Sequence, residues 1–318
     1  MKRAVSQDRS HNRPRHVSRG ERRRNALVGL ADIAADWNGF WFAARSATGL
    51  NGLRVGICML AALWWLTFFA STAAWFGSDG ILPVALTGKL IEFEETAGWQ
   101  HWSPLWWTDN VTIIRSYLCL GVLLSVLAAT GLGGRIVIGM LWLCVIGWVH
   151  RIAWLQGPFE PALVALLGYL LVSPGTPIWG SQSRQGAAHW LHNVAVRLIQ
   201  VHVWVLLAAG VLSQLGNVVW WRGDAIWWLA ASGRSHLLSL EWLQSSASLV
   251  NALTHGVVFV QLLTLALLLR PSTRWLGMVA GVLAALCIGL LADQTFYAML
   301  LAIAIFAFRP GFQSKLTG

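Results

Sequence analysis

Polar side chains that could do chemistry stand inside long apolar runs of this sequence: Arg54, His150, Arg151, Gln200, His202, Gln214, Asn251, His255 and Gln261. An ionisable group in hydrocarbon costs about 3 kcal/mol or more, so each marks a candidate site or demands a partner. His255 is the best titratable candidate for acid–base work, because imidazole changes charge near neutral pH. Asn251 precedes it by one turn, at i,i+4, and shares its helix face. Gln200 and Gln214 are fourteen residues apart, about four turns, and share a face as well. Carboxamides orient a substrate through a donor and an acceptor but take no proton as an amine base does. His202 is turned roughly 160° from Gln200, so those two do not serve one small pocket. Arg151 keeps its charge and needs a carboxylate, a cavity or the interface. Glu160 is nearby in sequence and is the expected partner. Arg54, at the start of a span, can equally snorkel to headgroups. The plain alternative for the uncharged members is a helix–helix hydrogen bond worth about 1 kcal/mol. As a set they favour an outward-facing polar cavity lined by Gln214, His150, Arg151, Asn251 and His255.

The same residues limit the cofactor classes. Three histidines in apolar spans admit a haem held by two axial imidazoles, and only His150 and His255 fall at matching depth. A quinone, a lipid or a small solute is the other class of ligand such a cavity takes. Cys58, Cys119, Cys144 and Cys287 are scattered singly through apolar runs, so they read as small apolar fillers, and no metal-ligand spacing occurs. There is no nucleophile elbow, no phosphate loop and no nucleotide-binding glycine pattern.

The elements that must position these groups follow from composition. Of 318 residues 56% are apolar and only 11% charged, where soluble domains carry about 25% charged residues. The mean hydropathy is +0.59. So few charges cannot cover a water-facing surface, which implies an all-α polytopic bundle in a lipid bilayer. The net charge is +10, and nine of the 23 basic residues precede Asn25. That tail has no aromatic residue and leads into a membrane domain. It reads as a disordered cytoplasmic segment (1–25) touching anionic lipid, and not as a nucleic-acid binder.

From Ala26 the pattern changes. Leu27, Leu30, Ala34, Trp37 and Trp41 form a helical stripe with Asp32, Asp36 and Asn38 off it, which predicts an amphipathic interfacial helix over 26–48. The transmembrane domain then occupies 49–310. Spans are expected at 52–76, 111–130, 136–155, 196–215 and 249–269. The run 158–173 is short enough to span or to be re-entrant. The run 275–308 would be about 51 Å long as one helix, so it is expected to divide near Asp293. About eight spans result, with a short cytoplasmic tail at 311–318. Arg135, Arg184, Arg270, Arg274, Arg309 and Lys315 then fall inside and the acidic 77–110 loop outside, which places the N-terminus in the cytoplasm and the chain in an inner cell membrane. Tryptophans collect on the outer face at 75–107 and 220–242. The segment WWRGDAIWW, residues 220–228, suits the outer headgroup layer as a membrane-parallel helix or a lid. Its Arg-Gly-Asp is a three-residue coincidence, too short to imply adhesion.

Three phrases, taken in order, resemble one family. They are GLNGLRVGICMLAALWW at 49–65, SDGILP at 78–83, and RLIQVHVWVLLAAGVLSQLGNVVWWRGDAIWW at 197–228. The order is similar to that of the HTTM proteins, whose membrane domain is shared with vitamin K-dependent gamma-carboxylase. The bacterial maturation protein for a sporulation-delaying peptide also resembles this group. The resemblance implies a helical membrane fold with an outward-facing pocket. It also implies a lysine base shortly after the Ala-Gly pair of the third phrase. Here Ala209-Gly210 is followed by Val211, Leu212, Ser213 and Gln214, and the nearest lysine N-terminal to the phrase is Lys89. Glutamate carboxylation is therefore not expected. Two functions stay open: maturation or export of a secreted peptide or partner protein, and non-enzymatic binding or transport of a lipid, quinone or small solute.

Overall fold

The computed structural model describes residues 19–93, 102–174, 188–231, 243 and 245–309. Most of the basic tail, Trp99, Arg184, the 232–242 part of the tryptophan-rich segment and the 311–318 tail lie outside them. By contact the chain forms two units, Met1–Ala43 and Ala44–Gly318. The first contains helix α1, Arg19–Phe42, which begins ahead of the pattern change at Ala26. Ile33, Trp37, Phe40 and Phe42 on it are exposed, and Trp37 and Phe40 each set their rings against Trp41.

Among its described residues the second unit consists of helices joined by turns and short irregular stretches, with one β-bridge between Arg45 and His189. Among the described residues six helices are long and apolar enough to cross a membrane: α2 (Thr48–Thr67), α5 (Val111–Thr130), α6 (Gly134–Arg151), α8 (Trp190–Leu215), α11 (Ala247–Leu269) and α12 (Arg274–Leu291). Two shorter apolar helices run with them, α7 (Phe159–Val172) and α13 (Thr295–Ile305), the latter prolonged by a 3-10 turn to Phe308. The connections carry α3 (Thr72–Phe76), α4 (Val84–Phe93), α9 (Val218–Arg222) and α10 (Ala225–Ala231). Short turns make chain neighbours packing neighbours. The order α2, α5, α6, α7, α8, α11, α12, α13 closes on itself, with α13 back against α2. Both α2 and α13 also touch α7 and α8, so they form the centre of the bundle.

Several boundaries differ from the sequence pattern for local reasons. The expected 52–76 span stops at Thr67. Thr67 donates to Trp64 O and Thr72 to Phe68 O, both at 2.7 Å, and i→i+3 bonds at Phe68 and Phe69 tighten the chain into a corner before α3. α8 starts at Trp190 and not near 196, because the His189 side chain accepts Leu191 N–H and caps it; His192, expected in a loop, is therefore helical and buried. The 158–173 run is one helix and not a re-entrant hairpin. Its first residues lie by the end of α6, where Gln156 donates to Val149 O, and its last by the start of α6, where Arg135 donates to the Val172 and Ser173 carbonyls. The 275–308 run divides at Asp293, which adopts a positive φ of 55°.

Close approach is provided by small residues, as expected where lipid offers no hydrophobic drive between helices. Gly277, Gly281, Ala285 and Gly289 recur every fourth residue on the buried face of α12. A Cβ on Gly281 would sit 2.9 Å from Thr264 Cγ2 of α11, and one on Gly121 of α5 would sit 2.5 Å from the Trp65 ring of α2. The two ends differ in charge. Connections at one end, the acidic end, hold Asp79, Asp109, Glu160, Asp224 and Asp293, whereas Arg45, Arg135, Arg270, Arg274 and Arg309 mark the basic end. All four cysteines are free, Cys58 and Cys144 buried.

Gly121→Leu is expected to lower the melting temperature of the detergent-purified protein by overpacking the α2–α5 seam, at a cost of about 1–3 kcal/mol. Gly52→Ala, whose Cβ meets nothing within 4 Å, is expected to leave it unchanged or raise it. Equal losses in the two variants would mean that the seam is not packed this way.

Candidate functional site

The polar groups on the long helices divide into those committed to structure and those left facing a cavity. Arg151, at the last residue of α6, is 1% exposed. Its guanidinium donates to Leu82 O and Thr87 Oγ1, both at 2.9 Å, lies 3.5 Å from the Asp109 carboxylate, and sits over the Phe76 ring. Asp109 also accepts Val84 N–H at 2.8 Å, so one ion pair holds the turn after α3, the start of α4 and the approach to α5. The expected partner, Glu160, is engaged elsewhere: its carboxylate accepts Gly157 N–H at 2.8 Å in the first turn of α7. The neighbouring His150 contacts Trp102 O through Nδ1 at 2.7 Å. Both residues thus fasten the acidic-end connection.

Asn251 likewise belongs to a turn. It donates to Arg222 O at 3.1 Å, and Gly223, at φ 79°, packs against its carboxamide. The Arg-Gly-Asp phrase is consumed here. Gly223 ends α9, and the Asp224 carbonyl accepts Trp228 N–H to begin α10. Thr254 accepts Ile226 N–H and ties α10 to α11. The segment's indoles remain outward, Trp221 at 65% and Trp228 at 60% exposure, and Trp221 Nε1 donates to Leu215 O, the last carbonyl of α8. His255 is exposed on α11 and does not reach the cavity described next. Gln200 accepts from Arg197 at 2.8 Å and donates to Ala307 O at 2.7 Å, a buried tie at the basic end. Arg54, also buried there on α2, is about as far from the acidic end. His202 faces the Tyr169 hydroxyl at 3.2 Å.

Of the expected cavity residues only Gln214 lines the space between α8, α11, α12 and α13. That cavity measures about 130 Å³. Its walls are chiefly apolar, with Leu207, Ala284, Ala285 and Leu301 among them, and three polar side chains enter it: Gln214, Gln261 and Tyr297. The Gln214 Oε1 is buried with no hydrogen-bond partner among the described residues. Neither the buried Gln261 carboxamide nor the Tyr297 hydroxyl bonds to any described residue. Gly210 also lines the cavity, and its Cβ position would stand in ordinary van der Waals range of Gln261 Oε1, at 4.0 Å. Gln261 was visible in sequence as a carboxamide in an apolar run; Tyr297, one aromatic among many, carried no signal.

The cavity offers amide N–H donors, amide carbonyl acceptors and one phenol, and no charge or titratable base near neutral pH. A buried carboxamide without partners costs about 1–3 kcal/mol, which a hydrogen-bonding guest would recover. His150 and His255, the pair at matching depth for a haem, are not brought together: α6 packs on α5 and α7, α11 on α8, α10 and α12. Among the described residues no cluster of three or more His, Cys, Asp or Glu could hold a metal ion. Compared with protein-family models, curated proteins and solved structures, the chain matches none. The likeness to the HTTM proteins rests on the three sequence phrases.

Arg151→Met is expected to free the 82–109 segment and speed its cleavage by protease several-fold, whereas Glu160→Gln, which keeps the acceptor for Gly157, is expected to leave that segment protected. Equal protection of both variants would remove Arg151 as the anchor.

Proposed function

We propose that this chain is an eight-span inner-membrane protein of the HTTM group, N-terminus cytoplasmic and α1 in the interface, that binds a small uncharged ligand and does not carboxylate glutamate. The observation that carries the binding role is the buried Gln214 Oε1, without a hydrogen-bond partner among the described residues, in an otherwise apolar cavity that Gln261 and Tyr297 also enter. A space of about 130 Å³ is close to that of an engineered apolar cavity that takes benzene, roughly 150 Å³. It suits a ring or headgroup fragment, and its donors suit carbonyl oxygens. A quinone head or the ester region of a neutral lipid has both features and reaches the site through the bilayer. Charged solutes are disfavoured because nothing in the cavity would compensate them.

The eight-span reading is supported by α7 and α13, which run antiparallel to full-length neighbours despite their own shortness. The orientation is supported by the basic end, by the positive-inside rule. In the resembled carboxylase the base follows the Ala-Gly pair. Here Gly210 and Gln214 both line the cavity, so the same neighbourhood has become a carboxamide site. A peptide-maturation role has one observation in its favour, the exposed indoles Trp221 and Trp228 at the acidic end. The cavity, however, supplies no base for acting on a peptide.

Native mass spectrometry of the detergent-purified protein is expected to show a bound small molecule. Gln261→Leu is expected to reduce occupancy about tenfold, the loss of roughly one hydrogen bond, and Tyr297→Phe by less. A bare chain, or a bound polypeptide retained in Gln261→Leu, would reject the ligand-binding reading, and the polypeptide would favour docking at α9–α10.

A further inference from the structure

The tryptophan-rich phrase that follows α8 folds into α9 and α10, two short helices that the binding role leaves unexplained. Three hydrogen bonds fix where they lie. Trp221 Nε1 donates to Leu215 O, the last carbonyl of α8. Asn251 of α11 donates to Arg222 O, at the end of α9, at 3.1 Å. Ile226 N–H, in the first turn of α10, donates to the buried Thr254 Oγ1 of α11 at 3.3 Å. The Ile226 side chain packs in a small apolar cluster with Leu243 and Val250, and Val257 of α11 and Leu291, the last residue of α12, are set against that cluster. α9 and α10 therefore cross the acidic ends of α8, α11 and α12.

Those three helices are walls of the Gln214 cavity. On each of them the contact with α9–α10 stands within about one turn of a cavity residue. On α8, Leu215 directly follows Gln214. On α11, Val257 stands one turn ahead of Gln261. On α12, Leu291 stands one turn beyond Ile288. α8 and α12 run toward the acidic end and α11 runs away from it, so in every case the cavity residue is the deeper one. The two short helices thus lie over the acidic end of the cavity. Their faces are sorted to match: Ala225 and Ile226 are buried, whereas Trp221, Asp224 and Trp228 are exposed. Gly216 and Gly223 flank α9, and residues without a Cβ absorb a change of backbone angle most readily.

We propose that α9–α10 is a lid that closes the Gln214 cavity against the water at the acidic end. It is held shut by Asn251 on Arg222 O and by Thr254 on Ile226 N–H. What the lid encloses rests on the ligand-binding reading above; where it lies does not. Water kept out of the cavity cannot compete with a guest for the carboxamides of Gln214 and Gln261, and hydrogen bonds made there are stronger for its absence. Exchange with the bilayer then runs between the helices, whereas exchange with water needs the lid to open by local unfolding.

The test is thiol accessibility at Ala284→Cys, a cavity-wall position on α12. The full chain is held in bilayer discs, with the two exposed cysteines removed as Cys119→Ala and Cys287→Ala. A charged, water-soluble methanethiosulfonate is expected to modify the introduced thiol slowly. Thr254→Val or Asn251→Ala is expected to speed that modification about tenfold, the loss of roughly one hydrogen bond from the closed state. Thr264→Val removes another α11 hydroxyl, one bonded to Val260 O of its own helix, and is expected to leave the thiol slow. Should Asn251→Ala fail to fold, Thr254→Val decides. Modification already fast with both ties intact, or still slow in both lid variants, overturns the lid. So does an equal gain in Thr264→Val, since the bundle as a whole would then have loosened. Failure of the binding role reads differently: native mass spectrometry would show a bare chain while the lid variants still speed the labelling.

Discussion

Charge is costly in hydrocarbon, and this bundle depends on moving charge to its ends and neutralising what stays there. The acidic end does so internally. Arg151 is buried against Asp109, the Leu82 carbonyl and Thr87, and the connection from α3 to α5 is organised around that contact. Glu160 is spent on the first turn of α7, where a carboxylate also complements the helix dipole. At the basic end, among the described residues, the Arg135 guanidinium is met by the Val172 and Ser173 carbonyls and Arg274 by the Leu268 carbonyl, so backbone oxygens take the place of carboxylates there.

Between the ends the helices approach through small residues. The four-residue repeat on α12 brings α11 and α13 close, and α13 can be short because other helices surround it. A short helix in lipid would leave backbone groups exposed; one inside a bundle is covered by its neighbours. Gly210 and Gln214 of α8 and Gln261 of α11 border a space between helices. The cavity there is a consequence of helix contacts and not of a loop.

The helical fold and the positions of most spans were legible in the sequence, because apolar run length and charge placement are one-dimensional signals. Asp293 marked its break for the same reason: a charge cannot lie mid-span. The Thr67–Thr72 corner was not legible, since it depends on hydroxyls bonding back to carbonyls in a run that is apolar on average. Partner choice was less legible still. Asp109 is 42 residues from Arg151, and nothing local distinguishes it from Glu160. The sequence places the polar set in apolar runs, but facing direction is a three-dimensional property. Asn251 and His255 do share a face, and that face is exposed, with Asn251 bound to a turn.

α8 links the two remaining problems. Arg197 and Gln200 lie near its start and Gln214 near its end, about 25 Å apart from Arg197 to Gln214 at 1.5 Å per residue. The start presents a guanidinium; the end presents a carboxamide. Each matches the layer it sits in. A guanidinium at headgroup level keeps water and phosphate within reach, whereas the cavity at Gln214 is walled by leucine and alanine, where only a neutral donor or acceptor is tolerable. The stretch Val211-Leu212-Ser213-Gln214 brings neither a base nor a charge to that place, so the cavity has no charged group of its own to stabilise.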